Sequence, residues 1–280
     1  MRTTVSIDWI TCMWEGKRNS NQLQRHAREL LDKPMDWFTT PTKGRFGYTE
    51  AVMADSGLIF QSGGLEVMGT GLIASGQALS EIVRESGEEM LMRILSSAKK
   101  VSRLDLAIDI HDAGRPMPQL EALVQRDEYV SFARNVQTMR SKTGITIYVG
   151  SRQSPRFLRI YDKGGESGTG LDHVRIELEC KEDAANRARN AVLAYGIGTT
   201  AMSWISDFIR LDHPVWNDAM LGALDGVYEP SQRKITDTRH WLTHTIPKSI
   251  AKVMELEGTA EILTDIIDAT YANIHQPLDN

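Results

Sequence analysis

Two cysteines, Cys12 and Cys180, stand far apart in a chain of 280 residues, which excludes a disulfide framework and a cysteine-based zinc site. No run of about 20 apolar residues occurs, so no membrane span is expected. The opening Met1-Arg2-Thr3-Thr4-Val5 lacks the apolar stretch of a secretion signal, and the expected compartment is the cytoplasm. No Gly-rich loop ends in Gly-Lys-Ser/Thr, so the usual cradle for a nucleotide triphosphate is missing. A surplus of positive charge is missing as well. The net charge is −5 and the pI about 5.8, which as an average argues against a nucleic-acid binder. What remains is an ordinary globular composition, 41% hydrophobic and 25% charged, long enough for one large domain or two modest ones.

The average charge conceals an asymmetry. From Arg134 to Lys163 the basic residues are Arg134, Arg140, Lys142, Arg152, Arg156, Arg159 and Lys163 against Asp162 alone, a net of +6. From Ala251 to Asn280 the net is −5. A basic centre can grip phosphates whatever the overall charge, although a solvated loop would carry the same residues.

Periodicity predicts a strand at Val5–Ile10 and a helix from Ser20, as its cap, to Leu31. Short strands are expected between Phe46 and Gly76, including Gly57–Phe60 and Leu65–Met68. A helix is expected over Leu79–Ser97 and another over Pro118–Arg134. Four clear strands follow the pattern at Arg103–Ile110, Ile145–Val149, Phe157–Lys163 and Val174–Cys180, then a helix from Glu182 to Arg210 broken near Gly196-Ile197-Gly198. Tyr228–Gln232 reads as a linker, giving a main domain over residues 1–227 and a small helical region over 228–280. Val5-Ser6-Ile7-Asp8 and Ser102-Arg103-Leu104-Asp105, each followed by a strand pair, hint at a duplicated half-domain. Trp9, Trp14, Trp37 and Trp204 read as packing aromatics. His240 and His244, one helical turn apart, read as surface residues.

Alternation puts the side chains of each central strand on two faces. One face is apolar: Leu104, Leu106, Ile108 and Ile110; Ile145, Ile147 and Val149; Leu158 and Ile160; Val174, Ile176, Leu178 and Cys180. It must pack on helices. If the strands share a sheet, the other face gathers Asp105, Asp109, Tyr148, Arg159, Tyr161, Lys163, Arg175, Glu177 and Glu179. A solvated face laced with cross-strand ion pairs would account for the mixed charges. A catalytic surface accounts equally well for the set. Acids on neighbouring strands suit a hard divalent cation, Arg and Lys suit phosphate oxygens, and a tyrosine hydroxyl beside cations is a usable nucleophile. Together they suit attack on a phosphodiester, a transesterification that needs no ATP.

Three ordered segments carry a resemblance: Ser102–Asp109; Thr146–Arg152 followed by Arg159-Ile160-Tyr161-Asp162-Lys163; and Arg175–Lys181. They resemble the replication initiation factor family, which spans rolling-circle plasmid and phage initiators and relaxases of integrative conjugative elements. The resemblance implies that Tyr161 is the nicking tyrosine, that Asp105, Glu177 and Glu179, with Asp109 as a fourth acid, hold Mg²⁺ or Mn²⁺, and that Arg159 and Lys163 contact the scissile phosphate. Arg152 and Arg156 suit backbone gripping, Tyr148 suits base stacking, and Arg175 belongs to the same DNA-facing set. The fold expected is α+β, a curved, mostly antiparallel sheet backed by helices with a small helical C-terminal region. The expected partners are origin DNA, a second copy of the chain for the terminating cleavage, and a host helicase. The His-hydrophobic-His strand motif of the other large rolling-circle nuclease class is absent. Two competing readings are a non-enzymatic origin-binding or helicase-recruiting module and a phosphodiesterase that uses water on small nucleotides.

Overall fold

The first strand, β1 (Arg2–Trp14), explains why its sequence alternates only roughly. It buries Ile7, then Ile10, Cys12 and Trp14, and the change from odd to even positions is a β-bulge between Ile7 and Trp9 in its pairing with β6 (Lys100–His111). One extra residue flips every side chain beyond it to the other face. This is a computed structural model, and it describes residues 1–33, 38–230, 246–257 and 260–274. Trp37, the His240/His244 pair and the last two residues of the expected linker, Ser231 and Gln232, lie outside the described residues.

Helix α1 (Ser20–Leu31) presents Leu23, Ala27, Leu30 and Leu31 on one stripe. Its cap is Asn19, not Ser20: the Asn19 side chain accepts from Gln22 N–H while the Gln22 side chain accepts from Asn19 N–H. Strands β2 (Phe38–Thr42), β3 (Glu50–Ala54), β4 (Ile59–Ser62) and β5 (Thr70–Ser75) follow. The Leu65–Met68 run is not a strand. Glu66–Met68 makes one 3₁₀ turn, closed by Gly69 at φ 64, where a Cβ would lie 2.2 Å from the Trp14 carbonyl oxygen. The helix expected over Leu79–Ser97 is two, α2 (Gly76–Ser86) and α3 (Glu88–Ser97), because Gly87 takes φ 75 between them. Helix α4 (Met117–Gln125) stops short of the expected Arg134, with Asp127 in the left-handed region. The β-prone Tyr129–Ser131 then forms β7, paired with β12 (Ile209–Leu211) in a separate two-stranded sheet.

Strand β8 (Val136–Ser141) was not anticipated; it is polar and half exposed, so it lacks the apolar alternation of its neighbours. Strands β9 (Gly144–Gly150), β10 (Arg156–Asp162) and β11 (His173–Lys181) lie where the pattern placed them. Lys163, expected on the end of β10, opens the short helix α5 (Lys163–Glu166) instead. Helix α6 (Glu182–Phe208) is interrupted at Gly196 (φ 82, ψ 167), at the expected break, and α7 (Pro214–Ala219) follows β12.

All ten strands of the main sheet pair antiparallel, in the order β2-β3-β4-β5-β1-β6-β11-β10-β9-β8. The order mirrors itself about the β1–β6 seam, and each half runs strand, helix, strands, helix along the chain, as a duplicated half-domain would. The fold is α+β, with a curved, open, antiparallel sheet and helices behind it. Helix α6 packs on β6, β11 and β1, α1 on β3 and β4, α2 on β1 and β5, and α4 on β8 and β9. The apolar faces of β6, β10 and β11 meet Ala188, Val192, Trp204 and Ile205 of α6 in one continuous core. Burying each such Leu or Ile contributes ~1.5–3 kcal/mol. The charged residues of β6, β11 and β10 stand on the other face of the sheet.

The chain divides into two compact units, Met1–Glu229 and Pro230–Asn280. The second contains α8 (Ile246–Glu257) and α9 (Glu261–Ile274). Among the described residues no helix is long and apolar enough to cross a membrane.

Candidate active site

Strand β11 is the spine of the open face. Its Glu179 lies directly across from Asp105 on β6, its Glu177 across from Arg159 on β10, and its Arg175 between Asp109 on β6 and Tyr161 on β10. On β9, Tyr148 lies across from Arg159. Eight of the nine residues assigned to the loaded face therefore share one surface at adjacent register positions, and Lys163 flanks it from α5.

The acids form a row. Asp105 is 1% exposed, and Glu177 and Glu179 are buried. Arg103 donates from Nε and Nη2 to both oxygens of Asp105, at 2.9 and 2.6 Å, and its Nη2 also reaches Glu179 Oε2 at 3.0 Å. Lys181 holds Glu179 Oε1 at 2.7 Å. Arg159 donates to Glu177 Oε1 at 2.6 Å. Burial pushes the Asp105 carboxyl up to about 7; Arg103 opposes the rise and the charges of Glu177 and Glu179 add to it. The oxygen-only donor set and its crowded negative charge fit a hard divalent cation. As the side chains stand, however, no three His, Cys, Asp or Glu among the described residues converge to hold an ion, because basic side chains lie among the acids.

Tyr161 is 5% exposed, and its hydroxyl donates to Glu177 Oε2 at 3.1 Å. Burial, then the charges of Glu177 and Glu166, raise the hydroxyl above its ordinary range; Arg175 and Arg159 pull the other way. The Arg159 guanidinium lies 5.2 Å from the Tyr161 ring centre and the Lys163 ammonium 5.6 Å. Lys163 also pairs with Glu166 at 2.6 Å.

Asp109 does not join the row of acids. It accepts from Arg175 Nε and Nη2, both at 2.8 Å, and lies 2.6 Å from His173 Nε2. Burial would raise it, but these bonds and charges hold it below the usual carboxylate range. Arg175 donates its third bond, at 2.6 Å, to Asp8, so the guanidinium expected on DNA is engaged by two carboxylates. His111 stacks on His173 at 4.2 Å. Arg156 is also displaced from its expected role. It begins β10 on the helix-covered face, pairs with Asp207 at 3.0 Å and lies 4.0 Å from the Tyr228 ring. Arg152 is exposed and caps Phe157 at 5.1 Å; Phe157 in turn stacks on Tyr148 at 5.8 Å.

Sequence reasoning missed Arg103, Trp9, Phe157, His173 and Asp8. Arg103, Phe157 and His173 follow the odd-numbered row of their strands and were legible there. Asp8 and Trp9 were hidden by the β1 bulge; Trp9 packs, as expected of an aromatic, against the small cluster of Ala51, Ile59 and Ile73, and lies under Arg103 at 4.7 Å.

A model of the replication initiation factor family matches residues 99–267, more than half of the chain. The chain belongs to this family. The match begins at β6 and so contains every residue of the acid row and Tyr161. A DNA relaxase of Bacillus subtilis (strain 168), described as putative and named NicK, is 23% identical over 97% of this chain and 88% of its own. A rolling-circle replication initiator protein from Geobacillus stearothermophilus superposes with a TM-score of 0.65, covering 85% of this chain and 91% of that one at 18% identity, a likeness of fold. Membership in an initiator and relaxase family gives the open face its context: strands β6, β9, β10 and β11, which carry these residues, lie within the matched part of the chain.

Proposed function

We propose that the protein nicks and rejoins one strand of DNA at an origin, with Tyr161 as nucleophile. The observation that carries this reading is the Tyr161 hydroxyl donating to Glu177 within a row of buried acids flanked by arginines. In the forward step the Tyr161 Oη bonds to phosphorus and its proton passes to Glu177 Oε2. The bond from phosphorus to the 3′ oxygen breaks, and that oxygen leaves as a hydroxyl, taking up a proton from solvent. The products are a 5′-phosphotyrosine and a free 3′-OH. One phosphodiester replaces another, so the step reverses without ATP. Arg159 and Lys163, 5.2 and 5.6 Å from the ring centre, offset charge on the phosphoryl oxygens.

Asp105, Glu177 and Glu179 would hold Mg²⁺ or Mn²⁺, which when bound supplies Lewis-acid polarisation of the phosphoryl group. Asp109 is left out of this set because its register partner on β11 is Arg175, whereas that of Asp105 is Glu179. Tyr148, with Arg152 and Phe157 behind it, offers a stacking surface for an unpaired base beside the scissile phosphate. A second cleavage is needed to end a replication round. With one such tyrosine per chain, it calls for a second copy of the protein; a host helicase is the expected partner for unwinding.

The test uses supercoiled plasmid carrying the protein's own gene and flanking DNA, with Mg²⁺ or Mn²⁺, and compares wild type with Tyr161→Phe. Nicked circles and a protein–DNA adduct that survives a denaturing gel, in wild type alone, are the expected result. Nicking that persists in Tyr161→Phe would overturn the tyrosine assignment.

A further inference from the structure

We propose that Arg103 is the resident counter-ion of the acid row, that a divalent cation must displace it, and that it thereby sets the affinity for that cation. The inference rests on the metal reading above. It comes from counting where each carboxylate oxygen is used. Arg159 and Tyr161 each take one oxygen of Glu177, and Lys181 takes one of Glu179. Arg103 takes both oxygens of Asp105 and the remaining one of Glu179. Among the described residues it is the one cation that bridges two acids of the row. Its withdrawal alone would free three oxygens on two strands that face each other directly in register, the kind of oxygen cluster a hard cation takes.

Charge points the same way. Asp105, Glu177 and Glu179 are met by Arg103, Arg159 and Lys181, so each acid of the row already has a basic partner. A dication added beside Arg103 would face a guanidinium at hydrogen-bond range of the same carboxylate, a repulsion weakly screened at a buried site. The two partners differ in freedom to move. The Asp105 side chain is 1% exposed and fixed in the middle of β6, whereas the Arg103 side chain is 32% exposed. Arg103 ends over Trp9 at 4.7 Å, near the rim of the acid row. The arginine can leave toward solvent; the acid cannot.

The experiment measures Mn²⁺ binding to the full chain, without DNA, by titration calorimetry, alongside thermal melts with and without Mn²⁺. Wild type, Arg103→Gln, Arg103→Lys and Glu179→Gln are compared. Arg103→Gln is expected to bind Mn²⁺ at least tenfold more tightly than wild type, to melt lower without metal, and to gain more from adding it. Arg103→Lys, which keeps the charge but loses the two-oxygen grip, should fall between. If Arg103→Gln does not fold, the wild-type chain is titrated with Mg²⁺ while the Arg103 Nε–H signal is followed by ¹⁵N NMR. That signal is expected to move as the ion binds. Wild type binding Mn²⁺ and losing it in Glu179→Gln, with Arg103→Gln no tighter or the Nε–H signal unmoved, would overturn the role of Arg103 and leave the metal reading standing. Absence of binding in wild type and in both arginine variants would overturn the two together.

Discussion

The bond network around Arg175 allows a sharp test that needs no knowledge of the DNA site. Arg175→Met keeps most of the stem and removes the guanidinium. Three bonds disappear: two to Asp109 and one to Asp8. Truncating one partner of a buried pair leaves the other charge uncompensated, at a cost of ~3–5 kcal/mol. Here the lower end is expected, about 3 kcal/mol, because Asp109 keeps His173 at 2.6 Å and the Asp8 side chain is 26% exposed. Asp109→Asn alone should cost less, since Arg175 retains Asp8. In the double variant the lost charge of Asp109 no longer needs Arg175, so a double-mutant cycle should return a coupling energy of roughly 2 kcal/mol. Urea unfolding of the four proteins measures it. A cost below ~1 kcal/mol with no coupling would mean that the network behaves as screened surface pairs, and the packing argument would be refuted. The same variant has a consequence for reactivity. Arg175 counteracts the burial that raises the Tyr161 hydroxyl. Without it the hydroxyl rises further, and the pH at which nicking reaches half its maximum should move up.

Other outcomes follow from the same geometry. Asp109 is held below its unfolded value of 3.8, so it contributes stability above about pH 4 that is lost as pH falls through its lowered value; Asp109→Asn should lose this acid limb in melts taken from pH 5 to 2. His26, packed by Trp14 and Phe60, is pushed down by burial to about 4 from 6.5. The unfolded chain therefore binds the extra proton between those values, stability falls as pH drops from 6.5 to 4, and His26→Phe should flatten that span. A Cβ at Gly164 would lie 1.9 Å from the Leu171 carbonyl oxygen, so Gly164→Ala should cost ~1–3 kcal/mol, read as a lower melting temperature, and should weaken nicking by displacing Lys163.

Much of the open face was legible because an antiparallel strand obeys a period of two without exception unless a bulge intervenes. Asp105, Arg159, Tyr161, Glu177 and Glu179 could be placed on one face from their spacing alone, and the family motifs put their strands side by side. Pairing partners were not legible in the same way. Whether Arg175 meets a phosphate or Asp109 depends on the register between β11 and β6, and whether Arg156 faces DNA depends on where β10 begins. Asp8 escaped because one bulged residue reverses the sides of β1, and no composition signal marks a bulge. Strand β8 escaped because an edge strand with one wet face needs no apolar run. The two-helix split at Gly87 and the cap at Asn19 were within reach of local rules, but longer apolar periodicity masked them.

The place of β11 in the sheet has a consequence for synthesis on the ribosome. The strands that border it, β6 and β10, are both complete by residue 162, whereas β11 runs from His173 to Lys181. Both neighbours of β11 are thus synthesised before it. A nascent chain long enough to display Tyr161 still lacks Glu177, Glu179 and Arg175, and all three are supplied by one strand, β11. Tyrosine and the full set of carboxylates become a unit only when that last interior strand is seated, so a stalled or truncated product ending before residue 173 has Tyr161 and Asp105 but neither the acceptor Glu177 nor Glu179.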